Sequence, residues 1–166
     1  MKIGLISDTH NYLDPGAIKH LSVCDEIWHL GDVGNPEILE QLESLATLHA
    51  VWGNIDSHEI RQMTSEHLII SRQSKRFLLT HIAGKPPGYT AKVKSLLATY
   101  QPNVLICGHS HILRVEKDHK RNILFINPGA AGRNGFHKQK TIIRFDLTEG
   151  QMRNMEVVEL GLRASI

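Results

Sequence analysis

With 166 residues, 41% of them hydrophobic, the chain is one domain's worth of polypeptide and can bury a core. Disorder and a disulfide-stapled miniature fold are excluded. Its 19 basic and 17 acidic residues leave a formal charge of +2, too little to mark a nucleic-acid or membrane surface. Cys24 and Cys107 lie in apolar runs and read as reduced thiols of an intracellular protein, with a structural disulfide as the lesser alternative, whereas eleven histidines are an excess that raises the question of metal binding.

The N-terminal apolar stretch is cut by Asp8 and His10, well short of a signal peptide, and no run reaches the roughly 18 apolar residues of a membrane span. A soluble, cytoplasmic protein is expected. No repeat, low-complexity tract or long linker divides the chain, so residues 1–166 read as a single domain.

In chain order, short apolar runs ending in Gly or a polar cluster predict buried strands at Lys2–Ser7, Glu26–Leu30, Leu48–Trp52, Phe77–Thr80 and Asn103–Cys107. Helical periodicity separates them: a short helix opens at Asp14-Pro15, and a second, capped by Asn35 with Pro36 at its first position, carries Ile38, Leu39, Leu42 and Leu45. A third follows Thr90, with Val93, Leu96, Leu97 and Tyr100. The last third is strand-like at Leu113–Lys117, Asn122–Ile126, Thr141–Asp146 and Gln151–Glu159, joined by polar turns. An early βαβ pattern followed by a β-rich tail predicts an α/β fold of two mixed sheets packed face to face, with helices outside.

The chemistry lies where those runs end. Ser7 leads into Asp8-Thr9-His10, Leu30 into Gly31-Asp32, Trp52 into Gly53-Asn54, Thr80 into His81, and Cys107 into Gly108-His109-Ser110-His111. In open α/β sheets ligands bind beyond the carboxyl ends of strands, so these carboxylate, amide and imidazole groups are expected to converge. Asp-x-His and His-x-His are expected to set both donors on one side of an extended segment. Seven aspartates and eleven histidines give about half an Asp-x-His by chance, but only about 0.06 of a Gly-His-x-His. The ordered set is more specific than any member.

That set, Asp8-x-His10, Gly31-Asp32, Gly53-Asn54, His81 and Gly108-His109-x-His111, resembles the calcineurin-like metallophosphoesterase superfamily, and the short length resembles its compact YfcE-type phosphodiesterase branch, as does Ile126-Asn127-Pro128-Gly129. The resemblance implies a four-layer α/β/β/α sandwich of two mixed β-sheets flanked by helices. It implies one divalent ion on Asp8, His10, Asp32 and His111 and another on Asp32, Asn54, His81 and His109, with Asp32 bridging. Asp32, Asn54 and His109 would also serve catalysis. Two transition-metal ions, Mn²⁺ first and Fe, Ni or Zn next, suit this N/O set, and a metal-bridging hydroxide would be the nucleophile on a small phosphoester.

Three departures from the family pattern stand out. A His usual after the Gly-Asn motif is Ile55 here, followed by Asp56, which removes a general acid and shifts the expectation toward diesters or good leaving groups; His58 is a candidate substitute. Gly34 stands where an acidic residue is common, and Ile82 where Gly is common after His81. Lys85 and Tyr89, in the loop after His81, and Arg133 are candidate substrate contacts, whereas His20, His49, His67, His119 and His137 are expected outside the site. Trp28, His29 and Trp52 are expected to pack in the core, and the basic clusters at 72–76 and 117–121 to form solvated turns.

Two other functions fit the same fold: a non-catalytic interaction scaffold like a retromer subunit, whose relatives tend to lose ligands that this chain keeps, and a nuclease, disfavoured because such enzymes carry added DNA-binding regions. An apolar edge at Val157–Leu162 hints at a homodimer or higher homo-oligomer.

Overall fold

Alternation sorts the strands' side chains into two populations. In the computed structural model, which describes residues 1–163, Ile3 and Leu5 of strand β1 (Lys2–Ile6) point to one side and Ile6 to the other. A five-stranded sheet is built from β1, β2 (Glu26–His29), β3 (Thr47–Ala50), β11 (Gln139–Thr148) and β12 (Gln151–Leu162), in the order β12-β11-β1-β2-β3. Strands β1, β2 and β3 are parallel, with Leu5 opposite Trp28 and Ile27 opposite Leu48; β11 and β12 run antiparallel.

The second five-stranded sheet has the order β4-β5-β8-β10-β9, from β4 (His67–Arg72), β5 (Lys75–Thr80), β8 (Val104–Ile106), β9 (Arg114–Asp118) and β10 (Ile123–Asn127). Strands β5, β8 and β10 are parallel and the two edges antiparallel. A two-stranded ribbon, β6 (Gly84–Lys85) and β7 (Gly88–Tyr89), follows β5.

The sheets face each other across Ile3, Leu5, Trp28, Phe77, Leu79, Val104, Ile106, Ile143 and Phe145. Trp28 lies edge-on to Phe77, ring centroids 4.9 Å apart, a geometry that adds to their apolar burial. Outside the first sheet, helices α1 (Pro15–Leu21), α2 (Pro36–Glu43) and α3 (His58–Met63) bury Leu21, Leu42 and Ile60 against Ile6, Ile27 and Ile142. Outside the second, α4 (Ala91–Tyr100) buries Val93 and Leu97 against Leu78, Leu105 and Phe125. The layers are α/β/β/α, as expected.

The helix starts follow their capping chemistry. Asp14, Asn35, Ser57 and Thr90 each accept a hydrogen bond from a first-turn amide, and Pro15 and Pro36 occupy first helical positions. One expectation needs correction, and two elements have no counterpart in the sequence reading. The run at 48–52 forms only Thr47–Ala50, an edge strand that is half-buried rather than buried. Strand β4 and the six-residue α3 went unpredicted, because a half-buried edge strand and a short helix carry little periodicity. Cys24 and Cys107 are buried and unpaired, their thiols pushed up to about 11 and about 12 by desolvation. Among the described residues, no helix is long and apolar enough to cross a membrane.

Candidate metal centre

Strands from both sheets end at a common edge, and the loops beyond them are locked together by backbone hydrogen bonds. Asp8 N–H donates to Gly31 C=O (3.0 Å), His10 N–H to Asp32 C=O (3.0 Å), and Gly108 N–H to His81 C=O (3.1 Å). All seven predicted site residues come together here. Asp8, Asp32 and His81 are buried, His10 and His111 half-buried, and Asn54 and His109 exposed at the rim.

The donors fall into two groups, Asp8-His10-His111 and Asp32-His81-His109, each with its donor atoms within 4.8 Å of one another. Asp32 joins them: Oδ1 lies 3.2 Å from His81 Nε2, and Oδ2 3.6 Å from His10 Nε2. Asp8 Oδ1 is 3.2 Å from His111 Nε2, and Asn54 Oδ1 is 3.1 Å from His81 Nε2. His10 and His111 bring their Nε2 atoms within 3.3 Å of each other. Imidazole nitrogens and carboxylate oxygens aimed at shared points form the donor chemistry of a divalent transition-metal pair, so the residues fit such a group.

The expected geometry along the chain is different from the observed one. Asp8, His10, Asp32, His109 and His111 are not on extended segments; all five have left-handed backbone, with φ between 45° and 68°. Asp and His are among the residues that tolerate this conformation, and strain held by surrounding structure is typical of functional sites. Gly31 and Gly53 permit the crowding: a Cβ on Gly53 would stand 2.1 Å from Asp32 Oδ1.

Around the donors lies a supporting layer. Asp56, in the place expected for an acidic neighbour of the missing His, is buried and accepts Gly34 N–H (2.8 Å) on one oxygen and Gly53 N–H (2.7 Å) on the other, tying the β2 loop to the β3 loop. Asn127 donates to Gly108 C=O (2.8 Å) and to Ser110 Oγ (3.1 Å), so the Asn-Pro-Gly segment braces the His-x-His loop. His81 Nδ1 is 2.7 Å from Leu30 C=O; a carbonyl only accepts, so Nδ1 carries a proton and Nε2 is the nitrogen that faces the centre. His29 accepts Gly31 N–H on Nδ1 (3.1 Å) and contacts Thr9 through Nε2 (3.0 Å); complete burial pulls its pKa down to about 4.

Burial and neighbouring charge shift the donors' ionisation in different directions. Burial dominates at His10 and lowers its pKa despite Asp32 and Asp8, leaving a neutral ring. At Asp32 burial opposes ionisation, but the His81 hydrogen bond, the Ile55 N–H and His10 outweigh it and lower the pKa. At His81 burial opposes the charge, but Asp32 and Asp8 outweigh it and raise the pKa.

Other sequence expectations divide. Trp28 and His29 are buried as expected, but Trp52 is only half-buried, lies under the Arg61 guanidinium (4.5 Å), and lines a cavity of about 260 Å³ with Asn54, His81 and Ile82. A neighbouring cavity of about 280 Å³ is lined by Lys85, Gly108, His109 and Arg114. Tyr89 is buried against Phe125 and is no substrate contact, and the Arg133 guanidinium stacks on Tyr12 (3.7 Å). His58 opens α3 exposed to solvent and contacts Gln62 (3.0 Å), an ordinary helix-start histidine. His137, expected outside, instead reaches His111, its Nδ1 3.3 Å from His111 Nδ1. A lone histidine in a polar loop carries no signal that would have revealed this. A wider hollow of about 800 Å³ lies at the other end of β1, around Met1 and Leu147, away from every donor.

Comparison with known proteins gives the family and the fold. The model of the calcineurin-like phosphoesterase superfamily domain matches residues 1–150. Probable metallophosphoesterase MJ0623 of Methanocaldococcus jannaschii is 34% identical over 78% of this chain and 68% of its own. A probable metallophosphoesterase of Methanothermobacter thermautotrophicus is 32% identical over 78% and 77%. Among solved structures, an archaeal phosphodiesterase superposes with a TM-score of 0.75 at 23% identity, over 95% of this chain and 100% of that one. Vps29 of Chaetomium thermophilum does so with a TM-score of 0.74 at 17% identity, over 96% of both. The chain belongs to the calcineurin-like phosphoesterase superfamily.

Proposed function

We propose that the chain is a metal-dependent phosphodiesterase acting on a small phosphoester. Asp8, His10, Asp32 and His111 would hold one divalent ion and Asp32, Asn54, His81 and His109 the other. The observation that carries this reading is the meeting of these seven groups, from five strand ends in two sheets, with Asp32 facing both donor groups. Phosphodiesterase MJ0936 of Methanocaldococcus jannaschii, 26% identical over 78% of this chain and 83% of its own, supports the diester assignment. Manganese is the first choice of metal, with iron, nickel or zinc next.

When bound, such ions acidify a water and neutralise charge developing on phosphorus. Asp8 and Asp32 return only part of a dication pair's charge, so the site keeps a positive balance that attracts a phosphoryl anion. Asn54 and His109, exposed at the rim, stand where they can orient its oxygens. Ile55 cannot protonate a leaving group, so this chain favours esters whose leaving groups depart without an acid. The cavities lined by Asn54 and His81 and by His109 offer room for the substituents of a phosphoester.

The test is hydrolysis of bis-p-nitrophenyl phosphate by the purified protein with and without Mn²⁺, against Asp32→Ala. Metal-dependent turnover by the wild type alone is expected. No turnover across a phosphoester panel would favour a scaffold role on a Vps29-like fold, and degradation of DNA or RNA would favour a nuclease.

A further inference from the structure

We infer that the cavity lined by Trp52 and Ile82 is the subsite for an aromatic ring carried by the phosphodiester, and that these two side chains set the preference for it. The inference rests on the phosphodiesterase reading and names the class of substituent which that reading leaves open. Asn54 and His81, two of the proposed metal donors, stand in the wall of this cavity of about 260 Å³. A group attached to phosphorus at the centre therefore has direct entry. Volume sets its size: an apolar cavity of about 150 Å³ is enough for a benzene ring, and drug-sized ligands fill pockets of roughly 300–1,000 Å³. This cavity takes one ring system on a short linker.

The wall chemistry decides the kind of group. Trp52 is half-buried and held in place before any ligand arrives. Its N–H donates to Ser65 C=O (2.9 Å), and the Arg61 guanidinium lies 4.5 Å from its ring centroid. Arg61 is itself anchored, donating to Asp56 C=O (3.0 Å) and Asn54 C=O (3.4 Å). An ordered indole lowers the entropic cost of packing a second ring against it. Ile82, directly after His81, is 42% exposed and stands in the same wall, so a ring seated there covers apolar surface that otherwise faces water. The charges of Lys92 and Glu66, also in the wall, offset each other in an ion pair. The cavity beside His109 instead has Lys85 and Arg114 in its wall, which suits a polar or anionic group. An uncharged ring thus sorts to the Trp52 side.

Phenylphosphonate and methylphosphonate share an anionic head that is not an ester and differ only in the ring. Each is titrated into the ¹⁵N-labelled, Zn²⁺-loaded protein and followed by ¹H–¹⁵N spectra. The spectra report place as well as affinity, because the chain has two tryptophans and the Trp28 indole N–H is buried on Glu26 (2.9 Å). Phenylphosphonate is expected to bind about 10-fold or more tighter than methylphosphonate and to shift the Trp52 indole signal. Trp52→Leu and Ile82→Ala are each expected to lower the phenyl-to-methyl affinity ratio about 3-fold or more. Equal affinities for the two probes, an unmoved Trp52 signal in the wild type, or an unchanged ratio in Ile82→Ala overturns the inference. If Trp52→Leu does not fold by circular dichroism, the wild-type spectra and Ile82→Ala decide. Thymidine 5′-phosphate against 2-deoxyribose 5-phosphate separates the sources of the ring. An advantage for the nucleotide that Ile82→Ala diminishes supports a nucleobase; its absence beside a phenylphosphonate advantage supports an aryl ester. The phosphodiesterase reading fails separately: ring preference without hydrolysis of any phosphodiester in Mn²⁺ counts against that reading alone, and turnover without ring preference counts against this one alone.

Discussion

Asp56 touches none of the donors' side chains, yet it holds two of their loops, and replacing it with asparagine isolates that role. The carboxylate accepts Gly34 N–H on one oxygen and Gly53 N–H on the other. In Asp56→Asn the side-chain amide would keep one acceptor and turn an NH₂ toward the remaining backbone N–H. One charge-assisted bond, worth roughly 1.5–3 kcal/mol, is lost, and one buried N–H is left without a partner, at roughly 1–3 kcal/mol. The two costs overlap, so Asp56→Asn is expected to destabilise the metal-free protein by about 3 kcal/mol, a fall in Tm of roughly 6–12 °C for a domain of this size. Urea denaturation measures it: the midpoint falls with the m-value unchanged. Because Gly34 follows Asp32 by two residues and Gly53 precedes Asn54, metal affinity is expected to drop about 10-fold or more. An unfolding free energy within about 0.5 kcal/mol of wild type, together with undiminished metal affinity, would refute the role assigned to this carboxylate.

Gly53→Ala places a methyl group 2.1 Å from Asp32 Oδ1, so metal loading measured by atomic absorption should fall below two equivalents while the chain stays folded. His29 is held neutral by burial, its pKa lowered from 6.5 to about 4. The unfolded chain therefore binds a proton in that window that the native chain does not, and native stability should fall by roughly 3 kcal/mol as pH drops from about 6.5 to about 4. Urea midpoints of wild type and His29→Gln in chelator, across that range, test this; an equal slope in both sinks the assignment. Asp14 caps α1 and pairs with the buried Lys140. Asp14→Ala leaves an uncompensated charge and should cost about 3–5 kcal/mol by thermal or urea unfolding.

The donors were legible because each follows an apolar run, a pattern a reader can find without knowing the fold. Asp32 after Glu26–Leu30 and His109 after Asn103–Cys107 are examples, and the buried cores of β1, β2, β5 and β8 follow from the same runs. The backbone at those donors was not legible. Left-handed φ at Asp8, His10, Asp32, His109 and His111 comes from bonds such as His10 N–H to Asp32 C=O, which link loops distant in sequence. The position of Trp52 was hidden for a related reason: its apolar neighbours suggest a central strand, but β3 is an edge, and the residues after it turn out toward the cavity beside Asn54. The contact of His137 with His111 was hidden because it depends on Gly132 and Gly135 bringing one loop onto His111, a tertiary event with no periodic trace.

The most direct measurement is anomalous diffraction at the manganese edge from a crystal grown with excess Mn²⁺. Two peaks are predicted, one among Asp8, His10, Asp32 and His111 and one among Asp32, Asn54, His81 and His109. Peaks bound elsewhere, or a map with no density between these side chains, would contradict the proposed centre.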